Sequence, residues 1–186
     1  MNCTQHLWAL GGLLIAALNG SAFAEEPAHP GKATYQRCAA CHLPDGAGVP
    51  GAYPPLAANV TTFSASEQGR DYLTYVVLKG MSGELSVADQ TYRGAMPAIG
   101  ASLSDAQIAD LLNFVIYNAA NKALQNLAES TEAPTEQPAQ FTEMEIKKRR
   151  ATIQTSYTRK TIMTLRDEAF QKTLTTTTPI KSSEDE

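Results

Sequence analysis

The five-residue stretch Cys38-Ala39-Ala40-Cys41-His42 constrains this chain more than any other feature of its sequence. Two thiols three residues apart lie on one face of a helical turn, and an imidazole follows at once. This spacing is typical of covalent haem attachment, in which each sulfur forms a thioether with one vinyl group of the same porphyrin. We therefore predict that Cys38 and Cys41 hold haem c covalently and that His42 binds the iron.

Zinc binding and dithiol redox chemistry are the alternatives for a Cys-x-x-Cys pair. Beyond His42 the chain has no further Cys or His, so a zinc site would need His29 or carboxylates to complete it. A redox disulfide of the thioredoxin type needs alternating strands and helices, and the flanking sequence shows no clear run of β-branched residues. Haem attachment is the preferred interpretation, and the other two remain open.

The amino-terminal segment has the composition of a secretory signal peptide. Residues 7–24 are mostly apolar or small and end in Ala22-Phe23-Ala24, and polar sequence begins at Glu25. We predict cleavage after Ala24 and a periplasmic location. The apolar run falls short of the ~20 residues that span a bilayer, so we expect no transmembrane span after cleavage.

Cleavage would leave Cys38 and Cys41 as the only cysteines, because Cys3 departs with the signal. Both thiols are then accounted for by one haem per chain. The 186 residues include 15 basic and 19 acidic side chains, a formal net charge of −4, which gives no indication of nucleic-acid binding.

Helical periodicity and capping residues predict several helices in the first two thirds of the chain. We expect a first helix from Pro30 to Ala40 and a second over Glu67–Lys79, with a C-cap glycine after it. A capping box at Ser104-Asp105-Ala106-Gln107 starts a long helix, whose apolar stripe runs to Ala119. Residues 43–59 and 81–102 are predicted to be irregular because Gly and Pro recur in them.

Composition divides the chain into five segments. We predict a signal peptide at 1–24, a haem domain at 25–124, a linker at 125–140, a helical extension at 141–172 and a disordered tail at 173–186. The haem domain should have three to four helices around the cofactor.

The extension should begin a helix near Glu143, since Thr142 and Glu145 have capping-box form. Its basic stretch 147–150, together with Arg159 and Lys160, is interpreted as a solvated helix face. The alternative is a docking segment for an acidic partner or a membrane surface.

The sixth ligand of the iron decides between electron transfer and chemistry at the metal. Met96 precedes a proline in a glycine-bounded loop, so its backbone is extended and its flexible thioether can point inward. Met81 directly follows a helix end and is better suited to packing. Pro54 can offer its carbonyl to the ring N–H of His42, which would orient that ligand. We therefore predict His42 and Met96 as axial ligands.

These segments resemble the small single-haem class I c-type cytochromes, especially bacterial periplasmic members that serve as electron acceptors or subunits of dehydrogenases. The matching stretches are residues 31–42, Tyr-Pro-Pro-Leu at 53–56, Tyr-Arg-Gly-Ala-Met-Pro at 92–97 and the helix from Asp105. The resemblance implies an all-α cytochrome c fold in which the first and last helices cross, here with Gly31 near Phe114 or Tyr117. A glycine permits so close a crossing.

The resemblance also implies a non-enzymatic electron carrier. Its donor would be a periplasmic dehydrogenase, and its acceptor an oxidase, a reductase or another cytochrome. One alternative is a fixed haem subunit of a dehydrogenase complex, tethered by residues 141–172. Another is a peroxidase-like or gas-sensing protein with a displaceable Met96, although no distal His or Arg pair is evident in the sequence.

Overall fold

The computed structural model describes residues 29–57, 59–87, 89–127, 139–156 and 158–176. Within these ranges the chain forms six α-helices and a two-stranded antiparallel sheet. The helices are α1 Lys32–His42, α2 Val60–Ser64, α3 Glu67–Lys79, α4 Asp105–Leu127, α5 Glu143–Ser156 and α6 Arg159–Thr176, and the strands are β1 Met81–Val87 and β2 Gln90–Met96. The predicted all-α class is confirmed, with one small sheet added to it.

Several predictions fall outside the described residues. These are the signal peptide at 1–24, most of the linker and the tail beyond residue 176. No helix in the described part of the chain is long and apolar enough to cross a membrane.

Local capping sets the helix limits much as the sequence predicts. Helix α3 has the predicted bounds, because the Ser66 hydroxyl accepts the Gly69 N–H at 3.1 Å and Gly80 ends the helix with φ at 68°. At the start of α4, Ser104 and Gln107 bond reciprocally at 3.2 and 2.9 Å, which completes the predicted capping box. Helix α1 begins and ends two residues later than predicted.

The crossing of α1 and α4 depends on Gly31. A Cβ at this position would lie 2.7 Å from the Cβ of Phe114, so a larger residue would push the helices apart. Tyr35 packs on the same phenyl ring, with the ring centroids 5.1 Å apart. The expected approach of Gly31 to Phe114 is confirmed, while Tyr117 lies at the exposed edge of the crossing, beside His29.

The segment 81–102 was predicted to be irregular, and this is wrong for residues 81–87 and 90–96. They form a hairpin in which Met81 pairs with Met96, and Asp89 in the turn has φ at 61°. Met96 therefore ends a strand and does not lie in a loop. Because strand side chains alternate, one hairpin face carries every second residue. This face consists of Met81, Gly83, Leu85, Val87, Gln90, Tyr92, Gly94 and Met96. The short helix α2 was also not predicted.

The carboxy-terminal extension, which composition sets apart as a separate segment, packs against the haem domain. Ile146, Ile153, Ile162 and Ala169 are completely buried and join the hydrophobic core formed by α3 and α4. Helix α5 begins at Glu143 as predicted. Helix α4 continues three residues into the predicted linker, and α6 continues to Thr176, inside the predicted tail.

Two buried arginines join α3 to α5. Arg70 of α3 donates from Nε and Nη2 to the Glu145 carboxylate, both at 2.6 Å, and its guanidinium lies 3.7 Å above the Phe141 ring. It also donates to three backbone carbonyls, those of Ser64, Ala139 and Gln140. All five N–H groups of the guanidinium therefore have acceptors, which makes its burial tolerable.

The second buried arginine, Arg149, lies on α5 and bonds to side chains of α3. It donates to Glu67 at 2.8 Å and also contacts Asp71. Its neighbour Arg150 donates to Asp105 at 2.6 Å. The interpretation of 147–150 as a solvated face is therefore wrong for the two arginines. Lys147 and Lys148 are exposed as predicted.

Candidate functional site

A cavity of about 210 Å³ lies between α1, the loop at 52–56, α3, α4 and the hairpin. This volume is far above the ~10–15 Å³ that one water molecule requires, so the cavity is not a packing defect. Most of its lining is aliphatic, including Leu73, Val77, Leu111, Leu112 and Val115. The structure brings all five predicted site residues to this cavity, namely Cys38, Cys41, His42, Pro54 and Met96.

The last turn of α1 presents the two cysteines and the histidine. Cys38 and Cys41 are free thiols, each partly exposed. Burial raises the pKa of Cys38 to about 11, and the neighbouring Cys41 adds to this rise. Before thioether formation, Cys38 would therefore be a neutral thiol at physiological pH. Two free sulfurs beside an apolar cavity are the donors that thioether attachment requires.

His42 is held in one orientation by the loop that follows it. Its Nδ1 lies 2.9 Å from the carbonyl oxygen of Pro54. Burial lowers the pKa of His42, and the hydrogen bond to Pro54 offsets this only in part, so the imidazole is neutral. A neutral ring that donates from Nδ1 keeps its lone pair at Nε2, which is the form that binds a metal.

Gly48 and Tyr35 support this geometry, although sequence reasoning missed both. A Cβ on Gly48, which has φ at 68°, would lie 2.7 Å from the Pro54 carbonyl oxygen, so only glycine lets the loop close here. The Tyr35 hydroxyl donates to the carbonyl of Leu43 at 2.8 Å. Burial raises the pKa of Tyr35 to about 12, with further contributions from Cys38 and Asp45.

Met96 and Met81 are cross-strand neighbours at the open end of the hairpin, and both line the cavity. Met81 also packs against the hydrophobic core. The backbone beyond Met96 comes very close to the end of α3, since a Cβ on Gly80 would lie 2.9 Å from the nitrogen of Ala98. Gly80 thus ends α3 and lets the chain after Met96 pass beside it.

The structure adds polar residues to the cavity that sequence reasoning did not place there. Arg166 of α6 is 9% exposed, lines the cavity and donates from Nη2 to the carbonyl of Ser86 at 2.6 Å. Tyr72 of α3 also lines the cavity; burial raises the pKa of its hydroxyl, and the interaction with Arg166 offsets this rise in part. Sequence reasoning did not identify Arg166 as a residue of the cavity. Nothing near Arg166 in the sequence indicates its position, because it depends on how α6 packs.

The zinc and dithiol alternatives gain no support from the structure. His29 accepts the Gly31 N–H at Nδ1 and packs against Phe114 and Tyr117, away from the thiols. Among the residues that the structure describes, no three His, Cys, Asp or Glu side chains are grouped to hold a metal ion. The described strands form an antiparallel hairpin and not the alternating β–α–β arrangement of a thioredoxin.

Two free thiols, a neutral imidazole and a thioether around one apolar cavity form a donor set that fits covalently bound haem. Together with the helical fold, they define a class I c-type cytochrome. The family model for cytochrome c matches residues 28–119, and this part of the chain is a cytochrome c domain. Its cofactor is covalently attached haem c.

Curated relatives agree with this assignment. One cytochrome c-552 from Thermus thermophilus is 40% identical over 106 residues, which cover 57% of this chain and 64% of the relative. A second cytochrome c-552 from Thermus thermophilus is 44% identical over 85 residues, which cover 46% of this chain and 64% of the relative. The cytochrome c subunit of a quinone alcohol dehydrogenase from Gluconacetobacter polyoxogenes is 37% identical over 95 residues, 50% of this chain and 19% of that subunit. The chain therefore spans less than two thirds of each of these relatives.

Proposed function

We propose that this protein is a one-electron carrier with haem c attached through Cys38 and Cys41, and with His42 and Met96 as axial iron ligands. The observation that carries the proposal is that all four side chains line one apolar cavity. When bound, haem c supplies an iron that alternates between the ferrous and ferric states.

The residues of this chain fix the cofactor and influence its potential. The Pro54 carbonyl accepts the Nδ1 proton of His42, which orients the ring and raises its basicity. The aliphatic walls from α3 and α4 exclude water and so favour the less charged, reduced state. The Met96 thioether, in the sixth position, would leave no open coordination site for a substrate.

The cellular setting is proposed from the amino-terminal segment and the relatives. A cleaved signal at 1–24 would place the protein in the periplasm. The relative from Gluconacetobacter polyoxogenes is a subunit of a quinone alcohol dehydrogenase, which supports a dehydrogenase as the electron donor. An oxidase, a reductase or another cytochrome would accept the electron in a brief encounter, for which a small interface is suitable.

The ligand assignment is tested by substituting the two cross-strand methionines separately. Met96→Ala in the oxidised holoprotein should abolish the weak sulfur-to-iron absorption band in the far red. Met81→Ala is the matched control, because it also lines the cavity but should keep the band. The assignment is wrong if the band disappears in Met81→Ala but remains in Met96→Ala, or if the unsubstituted protein lacks the band.

One observation favours a second function. Arg166 gives the cavity a cationic hydrogen-bond donor of the kind that a peroxide- or gas-binding site uses. Such a protein would need Met96 to leave the iron. Carbon monoxide added to the reduced protein separates the two functions, since the spectrum of a closed electron carrier should not change, whereas that of a gas-binding protein should.

A further inference from the structure

Gly80 brings the backbones of two elements into direct contact beside the cavity. It ends α3 with φ at 68°, is buried, and donates its N–H to the Val76 carbonyl at 3.0 Å. A Cβ at this position would overlap the Met96 carbonyl oxygen and would lie 2.9 Å from the Ala98 nitrogen. The backbone that carries Met96 therefore packs directly on the end of α3, because glycine leaves no side chain between them.

A second glycine makes a similar contact at the other end of the same segment. Gly100 is buried, and a Cβ there would lie 2.8 Å from the Cα of Leu78 and 2.9 Å from the Val77 carbonyl oxygen. Both of these residues belong to the end of α3. The five residues from Met96 to Gly100 thus contact this helix end through backbone on both sides of Pro97.

Exposure decides which side would move if a side chain were added at Gly80. Val77 and Leu78 of α3 are buried in the core, whereas Pro97 and Ala98 are exposed. The exposed segment has less packing to lose, so it would move and the helix would not. Ordinary contact distances begin near 3.4 Å, so relief of the contact with the Ala98 nitrogen alone requires about 0.5 Å of movement. A bond between a metal and its ligand tolerates only about 0.2 Å.

We propose that Gly80 is a positioning residue for the sixth iron ligand. By letting the backbone approach α3 this closely, it holds the Met96 thioether at the distance that the iron requires and keeps the site closed. Gly100 holds the same segment from its other end. Neither glycine lines the cavity, whereas Met96 does, so each acts through this segment. The inference rests on the proposed function, in which Met96 is the sixth ligand.

Imidazole is a suitable probe, because it competes with a thioether for the sixth position of ferric iron. Its apparent affinity is limited by the fraction of protein in which Met96 has left the iron. The experiment is an imidazole titration of the oxidised full-length holoprotein, followed through the haem absorption bands. In Gly80→Ala the crowded backbone disfavours the closed state, so the apparent affinity should rise at least about tenfold over the wild type.

Gly51→Ala is the matched control for backbone strain. Gly51 has φ at 74°, close to that of Gly80, but no atom of the described residues lies within 4 Å of a Cβ placed there. This variant should bind imidazole as the wild type does. Gly100→Ala is the complementary test, because it adds crowding at a residue without a positive φ. It should raise the apparent affinity in the same direction as Gly80→Ala.

A double variant separates positioning from a direct effect on the cavity. Met96→Ala removes the competing thioether and should bind imidazole more tightly than the wild type. In that background Gly80→Ala should add nothing, because the ligand that Gly80 positions is gone. A merely structural weakening would leave the two substitutions additive.

Two outcomes would overturn the proposal while leaving the ligand assignment intact. One is a Gly80→Ala protein that binds imidazole no more tightly than Gly51→Ala. The other is a tenfold gain that persists in the Met96→Ala background. Failure of the ligand assignment itself looks different, since Met96→Ala would then bind imidazole no more tightly than the wild type, and both proposals would fall. If Gly80→Ala does not accumulate with haem, Gly100→Ala decides, and a wild-type affinity in that variant contradicts the proposal.

Discussion

Substitution of Glu145 by Gln should destabilise the protein strongly, because this carboxylate joins the extension to α3. It accepts hydrogen bonds from Arg70 Nε and Nη2, both at 2.6 Å, and from Arg149 Nε at 2.9 Å. The substitution keeps the shape of the side chain but removes the charge that compensates Arg70. Arg149 would still face Asp71 and Glu67.

The magnitude follows from burial. Removing one partner of a buried ion pair costs about 3–5 kcal/mol, because the other charge stays buried without compensation. Arg70 keeps its backbone acceptors and the Glu145 side chain is 21% exposed, so we expect the lower end, about 3 kcal/mol. At roughly 2–4 °C for each kcal/mol in a protein of this size, the melting temperature should fall by about 10 °C.

Guanidinium chloride denaturation of the holoprotein, followed by far-ultraviolet circular dichroism, measures this loss. Glu84→Gln is the matched control, because it removes the same charge from the Arg93 pair, whose side chains are 58% and 74% exposed. That variant should lose no more than about 1 kcal/mol. Equal small losses in the two variants would refute the conclusion that a buried ion pair holds the extension in place.

The same interaction should depend on pH. Burial raises the pKa of Glu145, but the hydrogen bonds from Arg70 and Arg149 outweigh it and hold the pKa below its ordinary value. A lowered pKa in the folded state means that the ionised carboxylate stabilises the protein above the ordinary pKa of about 4.3. This contribution is lost as the pH falls through the lowered pKa. The difference between wild type and Glu145→Gln should therefore shrink in acid, and a constant difference would contradict this argument.

Three further predictions concern the haem domain. Gly31→Ala should lower the free energy of unfolding by about 1–3 kcal/mol, because the added Cβ would lie only 2.7 Å from the Cβ of Phe114. Thermal melting measures this loss. Tyr35→Phe should cost about 1 kcal/mol at neutral pH by removing the bond to Leu43. Because the folded pKa of Tyr35 is about 12, against about 10 when unfolded, that cost should vanish as the pH rises through this interval, and an alkaline denaturation series would show it. Ser104→Ala should lose about 1 kcal/mol through the broken capping box of α4, measured by denaturant unfolding, while a loss near zero would contradict the role of that cap.

The parts of the fold that local sequence rules govern were predicted well. The bounds of α3 follow from Ser66 and Gly80, and the start of α4 from Ser104, since a helix end needs acceptors and donors within a few residues. The five residues that meet at the cavity were also named from the sequence. That these residues lie together could be predicted without knowing how the helices pack. Cys38 and Cys41 are on one turn of α1, and Pro54 and Met96 belong to motifs of known form.

The hairpin was missed for a different reason. Its glycines were interpreted as helix breakers, although in Met81–Val87 apolar and small residues alternate with Ser and Glu, which is the period of a half-buried strand. The turn is closed by Asp89 in the left-handed region, a conformation that aspartate tolerates better than most residues. A search for period-two alternation would have found this element. It would also have placed Glu84 and Arg93 on the outer face.

Arg166 could not have been placed at the cavity by any local rule. Its bond to Ser86 spans 80 residues, and it exists only because Ile162 and Ala169 are buried and so fix the rotation of α6. The extension looked separate because its sequence is charged and a linker precedes it. Buried arginines reverse that interpretation, since Arg149 and Arg166 of the extension donate to acceptors in the haem domain, and Arg70 of the haem domain donates to Glu145 of the extension. A charged helix that follows a compact domain should therefore be examined for acidic and carbonyl partners within that domain before it is treated as a surface for other proteins.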